Sequence, residues 1–263
     1  MNFQFPTLPV LRSLGGCGGT LLSRLFAAMP ETIVLSETNP RSAHLFGGLL
    51  NPILQIRRWN PQFAQQLEDF HEYEIGFPPL FGRMLEELHR ACVLRRTSLV
   101  LRDYNYVDFI GVPFVWPVPH DLSLDCSLEG RFNTRSIILA REPAEQLTSL
   151  RTHRTLARTL SAERFVAGSL AFLEALPDAA IFHYKDLVAQ PADCLQRMCA
   201  SLSLPFDPSA LEQFAYIDAV TGNPRGRVST GIEPPAPSAA LFETREELAR
   251  YRGYRVLRER LGY

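Results

Sequence analysis

The sequence predicts a three-layer α/β sandwich, in which helices cover both faces of a central parallel sheet. Three observations support this prediction. Short apolar runs alternate with amphipathic stretches along the 263 residues, a glycine-rich loop joins the first run to the first helical stretch, and 46% of the residues are hydrophobic. No linker rich in Pro, Gly or Ser divides the chain, so we expect a single domain over residues 1–263.

The predicted strands are five short apolar runs. In chain order they are Leu8–Leu14, Thr32–Ser36, Ser98–Arg102, Arg135–Ala140 and Ala180–Tyr184. Helical spacing or helix-start signals predict helices over Thr20–Met29, Leu80–Val93, the stretch that begins near Pro143, Ser161–Leu176, Pro191–Leu202 and Glu243–Tyr263. Two segments, Asp103–Phe132 and Gly222–Pro237, are irregular, and we expect both to form long loops beside a cleft at the carboxyl ends of the strands.

The charged residues exclude two classes of protein. The chain carries 27 basic and 28 acidic residues, so it has no global field to hold nucleic acid or an anionic membrane, and neither is an expected partner. All but one of the basic residues are Arg, and the exception, Lys185, lies far from any glycine-rich turn. A Walker A loop requires a Lys immediately before its final Ser or Thr, so a kinase or ATPase of that kind is excluded.

Cysteine spacing and hydropathy argue against a disulfide-bonded, zinc-binding, membrane-spanning or secreted protein. Five Cys residues at irregular spacings, without a CxxC pair, predict neither a disulfide framework nor a zinc site. No run approaches the roughly 18 apolar residues that a spanning helix needs, and the first ten residues lack the layout of a secretory signal. We therefore expect a cytoplasmic protein, and nothing in the sequence indicates its oligomeric state.

The glycine-rich loop is the first motif with a chemical meaning. Its glycines, Gly15, Gly16, Gly18 and Gly19, allow a tight turn and a close approach of the backbone to a ligand. The helix that follows from Thr20 directs main-chain N–H groups and a partial positive charge toward an anion. The loop indicates a phosphate site, although a strand-to-helix turn without a ligand has the same composition.

A second anion site is indicated after the fourth predicted strand. Arg141 precedes Glu142 and Pro143, and Ser149 follows about two helical turns later, so a guanidinium and a hydroxyl can hold a phosphate together. This segment resembles the 3′-phosphate motif of sulfotransferases that use 3′-phosphoadenosine 5′-phosphosulfate (PAPS). The segment Cys17–Leu22 is similar to the loop with which that family binds the 5′-phosphosulfate.

Three further segments resemble the same family in the same order. His183–Leu187 is similar to its Tyr-Glu-Asp-Leu segment, Thr221–Arg227 to the late Gly/Arg loop that covers the nucleotide, and Leu261–Tyr263 to a common bacterial ending. The resemblance implies a P-loop-like, sulfotransferase-like fold and transfer of a sulfuryl group from PAPS to a hydroxyl or amine, without a metal. The nucleotide-binding residues that it implies are Gly16, Cys17, Gly18, Gly19, Thr20, Leu21, Arg141, Ser149, Tyr184, Arg225, Gly226 and Arg227.

The chain departs from the family at the first loop. Gly16 stands where the family has a cationic Arg or Lys, and Cys17 stands where it has Ser. Arg12, four residues upstream of Gly16, is the nearest substitute for the cation that stabilises charge during transfer, and Arg102, Arg225 and Arg227 are the others. The alternative function is a catalytically silent nucleotide-binding protein of the same fold.

The general base is expected at the carboxyl end of the sheet. We favour Glu37 as the base, because it follows the second strand, where several sulfotransferases place a carboxylate. Asp103, which follows the third strand, is the second candidate. His120 in the long loop is a weaker candidate, and Tyr104 lies near the place where cytosolic members carry a catalytic His. Glu37 could also be a cap or a surface ion pair, and Asp103 a structural partner of an Arg.

We expect the acceptor to be a small molecule or a peptide, but no motif in the sequence identifies it. The aromatic segment Phe109–Trp116 could form an apolar acceptor wall or an extra piece of core.

Overall fold

A computed structural model describes residues 5–59, 78–222, 229, 231–232 and 238–263. Within these ranges, five parallel strands form one sheet in the order β2-β3-β1-β4-β5. The strands are β1 (Thr7–Arg12), β2 (Thr32–Thr38), β3 (Ser98–Asp103), β4 (Asn133–Ala140) and β5 (Ala180–His183). All five predicted strands are confirmed, although Tyr184 begins a helix rather than ending the last strand.

Helices connect the strands and cover both faces of the sheet. Among the described residues, those up to Thr159 are α1 (Gly19–Ala27), α2 (Ser42–Leu45), α3 (Pro52–Trp59), α4 (Pro78–Leu94), α5 (Asn105–Phe109), α6 (Ser123–Leu128), α7 (Pro143–Arg151) and α8 (Arg154–Thr159). They are followed by α9 (Ala162–Glu174), α10 (Tyr184–Ala189), α11 (Pro191–Leu202), α12 (Ala210–Gln213), α13 (Ala239–Ala249) and α14 (Arg252–Arg260). Short 3₁₀ turns span Gly48–Leu50 and Phe214–Tyr216. Among the described residues, no helix is long and apolar enough to cross a membrane.

Two expectations about irregular or terminal segments need correction. The segment Asp103–Phe132 is not one structureless loop, because α5 and α6 lie within it. The final helical stretch is two helices, since the chain leaves the helical path at Tyr251 between α13 and α14. Short helices of one or two turns have too few residues to show a clear hydrophobic period, so the sequence pattern did not reveal α5 and α6.

The alternation of side chains along the strands builds the layers. Val10 of β1 packs with α3, α4 and α6 on one face, while Leu11 packs with α1 and α11 on the other. Farther along the first face, Ile138 of β4 packs with α7, α9 and the C-terminal helices. Because consecutive strand residues point to opposite faces, a shift of one residue decides which layer a side chain enters. The predicted α/β fold with helices on both faces of a parallel sheet is confirmed.

Candidate functional site

The candidate site is a cleft of about 520 Å³ at the carboxyl ends of four strands. The loop after β1, Glu37 at the end of β2, the end of β3 and Arg141 after β4 all line it. Ligands bind at this edge of parallel α/β sheets because the loops that leave adjacent strands converge there. The structure brings most predicted site residues to this cleft, namely Gly16, Gly18, Gly19, Thr20, Leu21, Glu37, Asp103, Arg141, Ser149 and Tyr184.

The backbone of the glycine loop explains why a cation is missing at position 16. Gly16 has a φ of +82°, and a Cβ built there would lie 2.8 Å from the main-chain oxygen of Gln146. Side-chain contacts fix the loop against α7, since the Gln146 amide donates to the Gly15 carbonyl at 2.8 Å and Arg141 donates to the Gly16 carbonyl at 3.1 Å. Only glycine fits this conformation at this distance from a neighbouring backbone.

The N-terminus of α1 faces the cleft with its main chain. The N-cap residue is Gly18, which has a left-handed conformation. It has no side chain that could accept a hydrogen bond from the first turn. Cys17 contributes its backbone only, because its side chain points into the apolar core among Leu14, Leu257 and Leu261, where burial raises the thiol pKa to about 12. The loop therefore presents main-chain N–H groups and a helix N-terminus, which suit an anion.

Arg102 places a cation beside the glycine loop. Leu11 of β1 pairs with Arg102 of β3, so the two side chains share the face of the sheet that α1 covers. The Arg102 guanidinium packs against Gly19 at the start of α1, and its side chain is only 6% exposed. Its Nε is buried and has no hydrogen-bond partner among the described residues. A buried guanidinium with an unsatisfied donor at a helix N-terminus is a site for an anionic oxygen.

Glu37 lies beside Arg102 because of an irregularity in β2. The pairing of β2 with β3 shifts register between Leu35 and Thr38, and Glu37 within this bulge has a φ of +55°. A bulge redirects a side chain, and a left-handed Glu costs about 1–2 kcal/mol. The turned carboxylate lies in the cleft, with its Oε1 3.0 Å from Nη2 of Arg102.

Arg141 and Ser149 form the second anchor on the other side of the loop. Arg141 stacks over the ring of Tyr184, with Cζ 4.9 Å from the ring centroid, and pairs with Glu145 at 3.1 Å. The Tyr184 ring in turn packs against Gly18. Ser149 lies on α7 and lines the same cleft. This arrangement leaves a guanidinium, a hydroxyl and an aromatic ring together beside the glycine loop.

Arg12 lies outside the cleft. It is fully buried on the opposite face from Arg102, where it forms ion pairs with Asp103 and, at 2.7 Å, with Asp125. Arg12 is only four residues from Gly16 along the chain. Its side chain nevertheless points to the face of the sheet that carries these carboxylates, because consecutive strand residues point to opposite faces. The structure therefore does not bring Arg12 to the loop.

Asp103 is a buried member of a polar network. Its carboxylate accepts hydrogen bonds from Asn39 at 3.1 Å, from Asn105 at 2.7 Å and from Arg12. Burial raises the pKa of Asp103 to about 7, and the carboxylates of Asp108 and Asp125 add to the rise while Arg12 opposes it. Both oxygens are already engaged, so Asp103 is less accessible to an acceptor than Glu37.

The remaining predicted residues are placed as follows. Arg225, Gly226 and Arg227 lie outside the described residues. His120 is exposed, stacks on Phe109 and is absent from the lining of the cleft. Tyr104 lines the cleft near Glu37, and burial raises its pKa. Among the described residues, no group of three or more His, Cys, Asp or Glu side chains could hold a metal ion.

Two residues that support the site were missed from the sequence. Gln146 holds the glycine loop, and its only sequence signal is that it lies one helical turn before Ser149. Arg24 of α1 is fully buried, and it could have been found because it interrupts the apolar stripe of that helix. Its guanidinium donates to the main-chain oxygens of Phe214, Ala215, Ile217 and Ser229, at 2.6 to 3.1 Å. These bonds hold residues on both sides of Gly222, which lines the cleft.

Comparisons with known proteins address the fold. The chain matches no family model and no curated protein. It is similar to the solved sulfotransferase domain from the Synechococcus PCC 7002 olefin synthase, with a TM-score of 0.62 and 18% identity over 95% of this chain and 96% of that one. It is also similar to the sulfotransferase domain from the curacin biosynthetic pathway, with a TM-score of 0.58 and 16% identity over 94% of this chain and 98% of that one. The chain therefore has the α/β fold of sulfotransferase domains.

Proposed function

We propose that this protein is a sulfotransferase that moves a sulfuryl group from PAPS to a hydroxyl or amine of an acceptor. The observation that carries the proposal is the placement of two guanidinium groups on opposite sides of one glycine loop. Arg102 packs at Gly19, and Arg141 is bonded to the carbonyl of Gly16. Two separated cations suit a nucleotide that bears anionic groups at both its 5′ and 3′ ends.

The residues present fit such a nucleotide. The unsatisfied Nε of Arg102 and the N-terminus of α1 would hold the 5′ end, while Arg141 and Ser149 would hold the 3′-phosphate. Tyr184, stacked under Arg141, offers a ring face for the adenine. These roles follow the resemblance in sequence, and their clustering in one cleft supports them.

The roles of the chain in the reaction follow from charge and position. PAPS supplies the sulfuryl group, and the acceptor oxygen or nitrogen bonds to sulfur as the bond from sulfur to the 5′-phosphate oxygen breaks. Glu37 accepts the proton that the acceptor loses. Arg102 stabilises the negative charge that grows on the departing phosphate oxygen, and it holds Glu37 in place. The products are the sulfated acceptor and 3′-phosphoadenosine 5′-phosphate (PAP).

Titration calorimetry with PAP tests the nucleotide site. We expect binding by the native chain and a loss of affinity of at least about tenfold in Arg141→Ala, because a charge-assisted hydrogen bond to phosphate is removed. Arg90→Ala, which removes an exposed Arg on α4, is the matched control and should bind PAP normally. Native protein that fails to bind PAP would overturn the proposal.

A catalytically silent nucleotide-binding protein is the second candidate. It is favoured by the ion pair between Glu37 and Arg102, in which the proposed base and cation already satisfy part of each other's charge. Incubation with PAPS labelled in the sulfuryl group and a set of hydroxyl and amine acceptors separates the two functions. Label transfer supports the enzyme, whereas PAP binding without any transfer supports the binding protein.

A further inference from the structure

The cleft has a second end whose chemistry differs from that of the nucleotide end. Beyond Glu37 its walls are aromatic, since Phe46 packs edge-to-face with Phe114 at 4.9 Å and with Tyr104 at 5.8 Å between ring centroids. Phe114 remains 40% exposed although it belongs to this cluster. All three rings line the cleft. A partly exposed aromatic wall that continues from a proposed reaction centre is a surface for an apolar group.

Two Arg side chains near this wall are held by other groups. Arg164 stacks over Trp116, with Cζ 4.6 Å from the ring centroid. Among the described residues that line the cleft, the Arg side chains are Arg102 and Arg141, both at the nucleotide end. Arg41, on the segment that precedes Phe46, is bound to Asp108 at 3.0 Å and to Asp121 at 2.9 Å. An anionic acceptor would therefore meet the carboxylate of Glu37. Among the described lining residues, the Arg beside Glu37 is Arg102, which Glu37 already pairs, so the acceptor's own charge would not be compensated.

Resting on the proposed function, we propose that the acceptor is an uncharged hydroxyl compound with a hydrocarbon body. The body packs against Phe46 and Phe114, and the hydroxyl points to Glu37. A sugar is disfavoured because its several hydroxyl groups would lose water against carbon, and each buried polar group without a partner is costly. Phe46 and Phe114 are thus the residues that determine acceptor specificity.

Labelled sulfate transfer to three acceptors tests this inference. The acceptors are 2-naphthol, its carboxylated analogue 6-hydroxy-2-naphthoate, and glucose. We expect kcat/KM for 2-naphthol to exceed that for the other two by at least about tenfold, because the wall selects against charge and against multiple hydroxyl groups. Equal turnover of glucose or of the carboxylated analogue would overturn the inference.

Variants of one loop identify the wall. Phe114→Ser should raise KM for 2-naphthol about tenfold through the loss of apolar contact, while Phe114→Leu should stay close to the native value. Trp116→Ser is the matched control, because Trp116 lies two residues away, is 74% exposed and is absent from the lining of the cleft. An unchanged KM in Phe114→Ser would overturn the role of the wall.

PAP binding separates failure of this inference from failure of the proposed function. All three variants should bind PAP with native affinity, because they lie away from the nucleotide end. Native protein that binds PAP and transfers label to another hydroxyl or amine acceptor, but not to 2-naphthol, overturns the acceptor class and leaves the proposed function standing. Binding of PAP without transfer to any acceptor supports the binding protein and overturns the acceptor class with the enzyme. Native protein that does not bind PAP overturns the proposed function, and the acceptor class with it.

Discussion

Nη2 of Arg102 lies 3.0 Å from Oε1 of Glu37, and this ion pair joins the carboxyl ends of two neighbouring strands. The side chains are 6% and 12% exposed, so little solvent screens the pair. Arg102 also packs against Gly19 at the start of α1. The proposed base and the proposed cation are therefore one structural unit, placed between the glycine loop and the aromatic wall of the cleft.

Glu37→Gln should remove the base while it keeps the size of the side chain. We expect kcat for sulfuryl transfer to fall by about 100- to 10,000-fold, the usual contribution of a general base. PAP affinity, measured by calorimetry, should stay close to the native value. Glu87→Gln, at an exposed pair on α4, is the control. A native kcat in Glu37→Gln would contradict the assignment of the base.

Arg102→Met should remove the cation while it keeps much of the apolar volume. We expect kcat to fall by about 100- to 1,000-fold, because a preorganised donor to the developing charge is lost. Arg102→Lys should lose less, since it keeps the charge but not the planar fork. The measurement is the rate of label transfer at saturating PAPS. If Arg102→Met retains native kcat, the cation comes from elsewhere, and Arg225 and Arg227 become the residues to test.

Gly16→Ala should destabilise the fold more than an equivalent change elsewhere. Position 16 combines a φ of +82° with a contact of 2.8 Å between a built Cβ and the Gln146 oxygen. Gly130→Ala is the matched control, because Gly130 has a φ of +70° and nothing within 4 Å of a built Cβ. Urea unfolding should give a loss of about 1 kcal/mol for Gly130→Ala and at least about 2 kcal/mol for Gly16→Ala.

Equal losses in the two glycine variants would show that the close approach to α7 does not restrict position 16. In that case Gly16→Lys could restore the cation that the family carries there. If the losses differ as expected, Gly16→Lys should be less stable than the native chain and no faster in label transfer.

The sheet could be predicted from the sequence because apolar runs and the glycine-rich turns that follow them are local signals. The glycine loop, Arg141 and Glu37 could be placed at one edge for the same reason, since each directly follows a predicted strand. The choice between Arg12 and Arg102 could not be made, because it depends on register. Leu11, not Arg12, pairs with Arg102, so the two Arg side chains point to opposite faces.

The bulge that turns the Glu37 side chain could not be predicted from the sequence either. It requires two residues of β2 to oppose one residue of β3, and this pairing is made between segments about 65 residues apart along the chain. The buried network around Asp103 has the same origin. Its partners Asn39, Asn105 and Arg12 come from different elements and meet only in the fold.

Asp103 should make the stability of the protein depend on pH. Burial raises its pKa to about 7, and burial likewise raises the pKa of Asp108 in the same network to about 6. An Asp in the unfolded chain has a pKa near about 4, so the folded state binds these protons more tightly. The contribution of these two groups to the free energy of unfolding should therefore be complete below about pH 4. It should be lost progressively as the pH rises toward about 7.

Asp103→Asn tests this pH dependence because Asn resembles the protonated acid and does not titrate. Urea unfolding at several pH values between about 4 and 8 should show a smaller decrease in stability for this variant than for the native chain. Asp178→Asn, which changes an exposed turn residue, should keep the native pH dependence. Should Asp103→Asn fail to fold, Asp108→Asn provides the same comparison in the same network. A native pH dependence in both network variants would mean that Asp103 and Asp108 are ionised throughout this range, held so by Arg12 and Arg41.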